Sequence, residues 1–157
     1  MMNFLKTAFE GLRGPIEDDT SDDPLRAQAP LAALLVRAAR SNSDYDPRQV
    51  AMIEAVLIDR LDLSPVQSEE LRRAAETLEA ETGDTVHLTR AVKDLVPLDD
   101  RAELLRDMWR IILADGKRHE EEDGLMRLVS SLLGLADRES AFARQAVQRD
   151  GAGVPSG

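Results

Sequence analysis

The sequence contains no cysteine. The protein therefore has no disulfide bond, no thiolate nucleophile and no cysteine-containing zinc site, and this composition fits a reducing compartment. Aromatic residues are also scarce, at 3% of the chain, although hydrophobic residues reach 43%. The core must therefore be built from leucine, isoleucine, valine, alanine and methionine, a composition that favours helices over strands.

Basic residues are fewer than acidic residues, and they do not cluster into a basic stripe. The formal net charge is −10, and residues 17–23 hold five acidic residues and no basic one. Such a chain would repel a phosphate backbone, so we expect no nucleic-acid partner. Long apolar runs are also absent, and Lys6, Glu10 and Arg13 interrupt the start where a signal peptide has an apolar centre. We expect a soluble, cytoplasmic protein.

Sequence motifs typical of enzymes are missing. No serine lies in a nucleophile elbow, and no glycine-rich phosphate loop is present. The two histidines, His87 and His119, lack the paired spacing of zinc ligands. We therefore expect a protein without catalytic activity.

Residues 1–23 are predicted to form a short amphipathic helix followed by an acidic linker. Apolar residues recur at helical spacing in this helix: Phe4, Leu5, Ala8, Phe9 and Leu12. The segment could dock on its own bundle, on a partner or, through residues 1–12, on a membrane. Two basic residues followed by an acidic run are poorly suited to anionic lipid, so membrane contact is the less favoured alternative.

Seven helices are predicted for a domain over residues 24–149, because apolar residues recur with helical period throughout. Their approximate bounds are 25–41, 47–61, 65–81, 86–96, 99–113, 119–133 and 137–148. A capping residue followed by proline marks two starts, at Asp46-Pro47 and Ser64-Pro65. The short connections predict a compact all-α bundle, and residues 150–157 are predicted to be a disordered tail.

The chain contains an internal repeat. Residues 39–49 align with residues 112–122, and each segment is a tight polar loop between two apolar helices. With one residue deleted, residues 61–64 then fall on residues 133–136. The sequence thus predicts two pseudo-repeats of helix, acidic loop and helix. They span residues 31–71 and 104–143.

The second repeat loop carries acids on both sides of a turn. Asp115 ends one helix, Gly116 turns the chain, and the next helix begins with Glu120, Glu121 and Glu122. One interpretation is helix capping, since carboxylates stabilise a helix N-terminus. The other is a calcium or magnesium site, in which Asp115 and Glu122 converge with a loop carbonyl on the cation. The residues leave both interpretations open.

The first repeat loop has amides in the equivalent positions. Asn42 stands where Asp115 does, and Gln49 stands where Glu122 does. These amides keep the hydrogen-bonding reach and remove two negative charges, so the first loop should bind a cation far more weakly. Any cation site is therefore predicted to lie in the second half of the chain.

Residues 108–116, followed by Glu122, resemble the second repeat of TerB-like proteins, a tellurite-resistance family. Residues 41–47 resemble the first repeat, with Asn42-Ser43 in place of the usual Asp-Gly pair. The resemblance covers about residues 25–148. It implies an all-helical fold of two pseudo-symmetric halves, found in tellurite-resistance and phage-defence operons and at the front of a membrane-anchored DnaJ co-chaperone.

The resemblance also implies a divalent-metal site in the acidic loop. By match to the family motif, the metal-binding positions correspond directly to Asp115 and Glu122. Glu120 and Glu121 are included only as their neighbours. We therefore expect a stress- or tellurite-resistance-associated interaction module that binds a protein partner and a divalent cation. The alternatives are a metal-dependent hydrolase, which would need more acids or histidines at the loop, and a membrane-surface adaptor that uses residues 1–12.

Overall fold

The computed structural model describes residues 24–41, 45–116 and 120–152. Over these ranges the chain forms eight α-helices and no strand. The helices are α1 (Pro24–Ala27), α2 (Ala29–Arg40), α3 (Pro47–Leu61), α4 (Pro65–Glu81), α5 (Thr85–Leu95), α6 (Arg101–Ile112), α7 (Glu120–Leu132) and α8 (Asp137–Ala152). Single 3₁₀ turns, Leu98–Asp100 and Leu113–Asp115, flank α6. The predicted all-α bundle is confirmed, while the predicted N-terminal helix lies outside the described residues.

The predicted starts of α3 and α4 are confirmed by their capping hydrogen bonds. The Asp46 side chain accepts a hydrogen bond from the Arg48 backbone N–H at 2.7 Å. Ser64 accepts one from the Gln67 backbone N–H at 3.1 Å, and the Gln67 side chain accepts one in return from the Ser64 N–H at 2.9 Å. Both helices therefore begin where the sequence places a capping residue before proline.

Helix boundaries differ from the prediction at three places. The predicted first helix breaks at Gln28, because Pro30 has no N–H to continue a helix from α1. The predicted helix over 99–113 is α-helical only from Arg101 to Ile112, since both of its ends tighten into 3₁₀ turns. The last helix continues to Ala152, four residues beyond the predicted end, and residues 153–157 lie outside the described part.

The two repeats share the same order of helices and the same kind of turn after the second helix. Helices α2, α3 and α4 correspond to α6, α7 and α8, and α2 packs on α4 as α6 packs on α8. The chain leaves α3 and α7 through left-handed residues, Asp62 with φ 56° and Gly134 with φ 79°. Equivalent hydrogen bonds close both ends, from the Leu63 N–H to the Ile58 carbonyl and from the Leu135 N–H to the Ser130 carbonyl. The predicted pseudo-repeat is confirmed.

Helix α2 lies at the centre of the bundle and contacts α4, α5, α6 and α7. It is apolar on nearly all sides, as a central helix must be. Its buried residues are Leu31, Ala32, Ala33, Leu34, Leu35, Val36, Ala38 and Ala39. Trp109 of α6 also belongs to the core and is only 3% exposed.

A buried ion pair joins the two repeats. Arg60 of α3 donates from Nε and Nη2 to the two carboxylate oxygens of Asp107 of α6, at 2.9 and 3.1 Å. Arg60 also reaches Glu103 at 3.1 Å. Paired side chains with this geometry fix the orientation of α3 on α6. None of the helices in the described ranges combines the length and the apolar character needed to cross a membrane.

Candidate functional site

Asp115 and Glu122 are buried on the two sides of the second repeat loop. Asp115 ends the 3₁₀ turn after α6 and is 4% exposed, and Glu122 lies in the first turn of α7 and is 1% exposed. Between them Gly116 has φ 74°, a left-handed conformation that glycine adopts without strain. These two acids are therefore not solvated surface charges. Burying a carboxylate is costly unless hydrogen bonds or opposite charge compensate it.

The other predicted ligands cannot be placed with the same detail. Residues 117–119 and the side chains of Glu120 and Glu121 lie outside the described part. Among the described side chains, no three histidine, aspartate or glutamate residues cluster closely enough to hold a metal ion. The cation site at this loop stays a prediction, in which Asp115 and Glu122 are the described members.

Gln49 connects the first repeat to the second repeat loop. Its side chain is fully buried, and its Nε2 donates to the carbonyls of Ile111 and Ile112 at 3.3 and 3.5 Å. Its Oε1 accepts a hydrogen bond from the Asp46 backbone N–H at 3.1 Å. The amide therefore caps α3 and also holds the end of α6, immediately before the loop that contains Asp115. Gln49 was predicted to be the counterpart of Glu122, whereas its contact between the repeats has no signal in the sequence.

The first turn of α3 carries a positive charge near Asp115. Helix α3 packs against Leu113–Asp115. Arg48 is exposed and pairs with Asp46 at 3.0 Å. The hydrogen bond and charge of Asp46 raise the pKa of the Arg48 guanidinium, and the charge of Asp115 adds a smaller contribution. The first repeat therefore brings positive charge within electrostatic range of the buried acid of the second.

Protein contacts hold the described end of the first loop. The Tyr45 hydroxyl donates to Glu76 of α4 at 2.6 Å, and the Arg40 guanidinium lies 4.9 Å from the centre of the Tyr45 ring. Burial, followed by the hydrogen bond to Glu76, raises the pKa of Tyr45 above its ordinary value. Asn42 lies outside the described residues. Tyr45, at the described end of the first loop, is thus tied to α4 by its hydrogen bond to Glu76.

A cleft of about 490 Å³ lies next to the second loop, between α6, α7 and α8. Its lining residues are Trp109, Asp123, Arg127, Asp137, Ser140, Ala141 and Arg144. Trp109 Nε1 donates to Ser140 Oγ at 3.2 Å, and Arg144 pairs with Asp123 at 3.3 Å while it lies over the Trp109 ring at 5.5 Å. No pattern in the sequence predicts this cleft, because its residues come from three separate helices.

The loop and the cleft meet at two consecutive residues of α7. Glu122 is buried at the loop, while Asp123 pairs with Arg144 of α8 across the cleft. A change in the position of the first turn of α7 would move both carboxylates together. The candidate site therefore consists of the second loop and the adjoining cleft.

The fold and this site define a class of protein: an all-helical domain of two pseudo-symmetric helix–loop–helix repeats, with acids buried at the second loop. The sequence model of the family described as tellurite resistance protein TerB matches residues 28–145. The chain belongs to the TerB family, as the resemblance predicted. No curated protein and no solved structure matches the chain.

Proposed function

We propose that the protein is a non-catalytic, cytoplasmic TerB-family module that binds a divalent cation at the second repeat loop and a protein partner under control of that cation. The observation that supports the cation is the burial of Asp115 and Glu122 on the two sides of one loop. Two carboxylates removed from water favour a nearby positive charge. A cellular role associated with stress or tellurite resistance follows from the family alone.

The residues present fit calcium or magnesium better than a softer metal. Both described donors are carboxylates, and hard cations prefer oxygen ligands. Calcium takes six to eight oxygens and magnesium six, so Asp115 and Glu122 would need further ligands. Loop carbonyls, water or the acids Glu120 and Glu121 could supply these oxygens.

Partner binding is proposed for the cleft because the loop and the cleft share the first turn of α7. A cation held by Glu122 would fix that turn and with it Asp123, whose pairing with Arg144 spans α7 and α8. Fixing this pair sets the width of the cleft before a partner binds, which lowers the entropic cost of association. The cation would thereby control the affinity for the partner.

Thermal melting of the metal-free protein with calcium, magnesium, manganese or zinc tests the cation site. A cation that binds only the folded state at a hundred times its dissociation constant adds about 2.7 kcal/mol to the free energy of unfolding. We expect such a shift with calcium or magnesium in the wild type and none in Asp115→Asn plus Glu122→Gln. The matched control is Glu69→Gln plus Glu70→Gln, which removes two exposed acids of α4 and should retain the shift. A shift that persists without Asp115 and Glu122 would exclude this loop.

The fluorescence of Trp109 tests the control of the cleft, because Trp109 is the only tryptophan and lines the cleft. We expect the stabilising cation to change its emission in the wild type and not in the variant that lacks both loop acids. A thermal shift without a change in emission would support the cation site but would contradict control of the cleft by the cation.

A further inference from the structure

Two arginines line the same half of the cleft between α7 and α8. Asp123 of α7 pairs with Arg144 of α8, and a short turn joins the two helices, so they run antiparallel. Arg127 follows Asp123 by one helical turn on the same side of α7 and also lines the cleft. The guanidinium groups of Arg127 and Arg144 therefore lie in the half of the cleft that is nearer the second loop.

Arg144 is held in place but is not fully hydrogen-bonded. Its guanidinium lies 5.5 Å from the centre of the Trp109 ring, and its Nη1 donates to Asp123 Oδ1 at 3.3 Å, which is long for a charged pair. Its Nε is buried and has no hydrogen-bond partner among the described residues. A buried donor without a partner is unfavourable and rare in native proteins. An acceptor that enters the cleft would complete this arrangement.

Arg127 contributes a second positive charge to this half of the cleft. Its side chain is exposed, and no carboxylate of the described ranges lies within ion-pair distance of it. The arginines of the neighbouring α6 differ, because Arg106 and Arg110 each pair with a carboxylate, at 2.9 and 2.8 Å. Arg127 is therefore available to an anion that enters the cleft.

The acids that line the cleft do not cancel these two charges. Asp123 offsets one of them through its pairing with Arg144. Asp137 is the other acid, and it precedes Arg144 by two helical turns of α8, which separates them by about 10 Å along the helix axis. The half of the cleft nearer the second loop therefore has an excess of positive charge.

We propose that this half of the cleft binds a carboxylate group of the protein partner, between Arg127 and Arg144. The inference rests on the proposed binding of a partner in the cleft, and it names the chemistry of that partner: an acidic side chain or a C-terminal carboxylate. A guanidinium offers two parallel N–H donors that match the two oxygens of a carboxylate. A small rotation of Arg144 toward the cleft brings its Nε–H to this acceptor.

The remaining cleft fits the chain that carries the carboxylate. Its volume of about 490 Å³ is larger than one carboxylate group and is typical of a site for a small ligand or a few side chains. Trp109 and Ala141 provide apolar surface for the carbon atoms beside the carboxylate. Phosphate fits less well, since its second negative charge would face Asp123.

The proposed cation should strengthen the binding of a carboxylate. Asp115 and Glu122 are buried at the loop beside the cleft, and their negative charge disfavours a further anion nearby. A calcium or magnesium ion at the loop would offset that charge. We therefore expect a carboxylate to bind more tightly when the cation is present.

NMR titration of the full chain with calcium tests the proposal. The probe is the peptide acetyl-Gly-Leu-Glu-Leu-Gly-amide, and the control peptide has glutamine in place of glutamate. We expect a saturable downfield shift of the Arg144 Nε–H signal with the glutamate peptide and none with the glutamine peptide. Arg127→Gln should raise the dissociation constant about fivefold, the upper range for an exposed ion pair. Arg138→Gln, which removes an exposed arginine of α8 outside the cleft, should leave it unchanged.

Further titrations distinguish the sources of the anion. Binding of the glutamine peptide only when its C-terminus is a free carboxylate would support the proposal and identify a chain terminus as the source. Binding of inorganic phosphate without binding of either carboxylate would overturn the proposal. Equal binding by the wild type, Arg127→Gln and Arg144→Lys would also overturn it, with circular dichroism melting to confirm that each variant is folded.

The same samples separate this inference from the cation site. A thermal shift with calcium, without any response of Trp109 or Arg144 to the peptides, would support the cation site and overturn the carboxylate site. Equal binding of the glutamate peptide by the wild type and by Asp115→Asn plus Glu122→Gln would support the carboxylate site. That second result would contradict its control by the cation.

Discussion

Gln49 shows how a single amide can take the place of a charged group in one of two repeats. Its side chain accepts one hydrogen bond and donates to two carbonyls, and an amide does both without carrying a charge. The sequence comparison correctly indicated an uncharged counterpart of Glu122. It could not indicate the carbonyls of Ile111 and Ile112, because these are 62 and 63 residues away in the chain and are brought near only by folding.

Gln49→Glu should lower the free energy of unfolding by about 1 to 3 kcal/mol. The buried carboxylate would face two carbonyl oxygens without a proton to donate. Gln67→Glu is the matched control, because Gln67 occupies the equivalent capping position of α4 but is exposed. Glu139 already makes the equivalent bond before α8, accepting from the Ala136 N–H at 3.2 Å. Urea unfolding at pH 7 measures both variants. An equal loss in the free energy of unfolding would contradict the contact between repeats.

At the scale of helices, the predictions succeeded where the signal is local. The starts of α3 and α4 depend on a capping residue and proline that are adjacent in sequence. The break at Gln28 was missed although Pro30 could have signalled it, because the apolar period of α2 continues through that position. The ends of α3 and α7 were aligned correctly from four residues each, but their shared left-handed conformation was visible only in the structure.

Gly134→Ala should lower the free energy of unfolding by about 1 kcal/mol. An alanine there would meet Leu98 only at an ordinary contact distance of 3.9 Å, so the cost comes from φ 79°, which side chains disfavour. Gly83→Ala is the control, because that position has no left-handed φ and a Cβ would meet nothing within 4 Å. Thermal and urea unfolding should agree, and an equal effect at both glycines would contradict this explanation.

At the scale of the whole molecule, the two repeats form one body through α2, α6 and the ion pair of Arg60 with Asp107. The sequence indicated two halves but not how they join, because neither charged residue differs in pattern from the many surface charges. The cleft was unpredictable for the same reason, since it depends on the packing of α6, α7 and α8. The sequence predicted that acids lie together at the second loop, but it did not predict that Asp115 and Glu122 are buried.

Asp107→Asn should lower the free energy of unfolding by about 3 kcal/mol. Removing this carboxylate charge takes the bidentate partner from the buried Arg60 and leaves its charge less well compensated. Glu69→Gln is the control, because the Arg73 and Glu69 pair is largely exposed and should contribute less than about 1 kcal/mol. Chemical unfolding measured by circular dichroism distinguishes the two variants, and a small effect at Asp107 would mean that the ion pair adds little to the junction of the two halves.

Calorimetric titration of calcium and of magnesium into the metal-free protein is the decisive measurement for the second repeat loop. We expect one bound cation per chain, because the first loop has amides where the second has acids. Binding should disappear in Asp115→Asn plus Glu122→Gln and should persist in Glu69→Gln plus Glu70→Gln. No binding by the wild type, or equal binding after the loss of Asp115 and Glu122, would contradict a cation site in the second repeat loop.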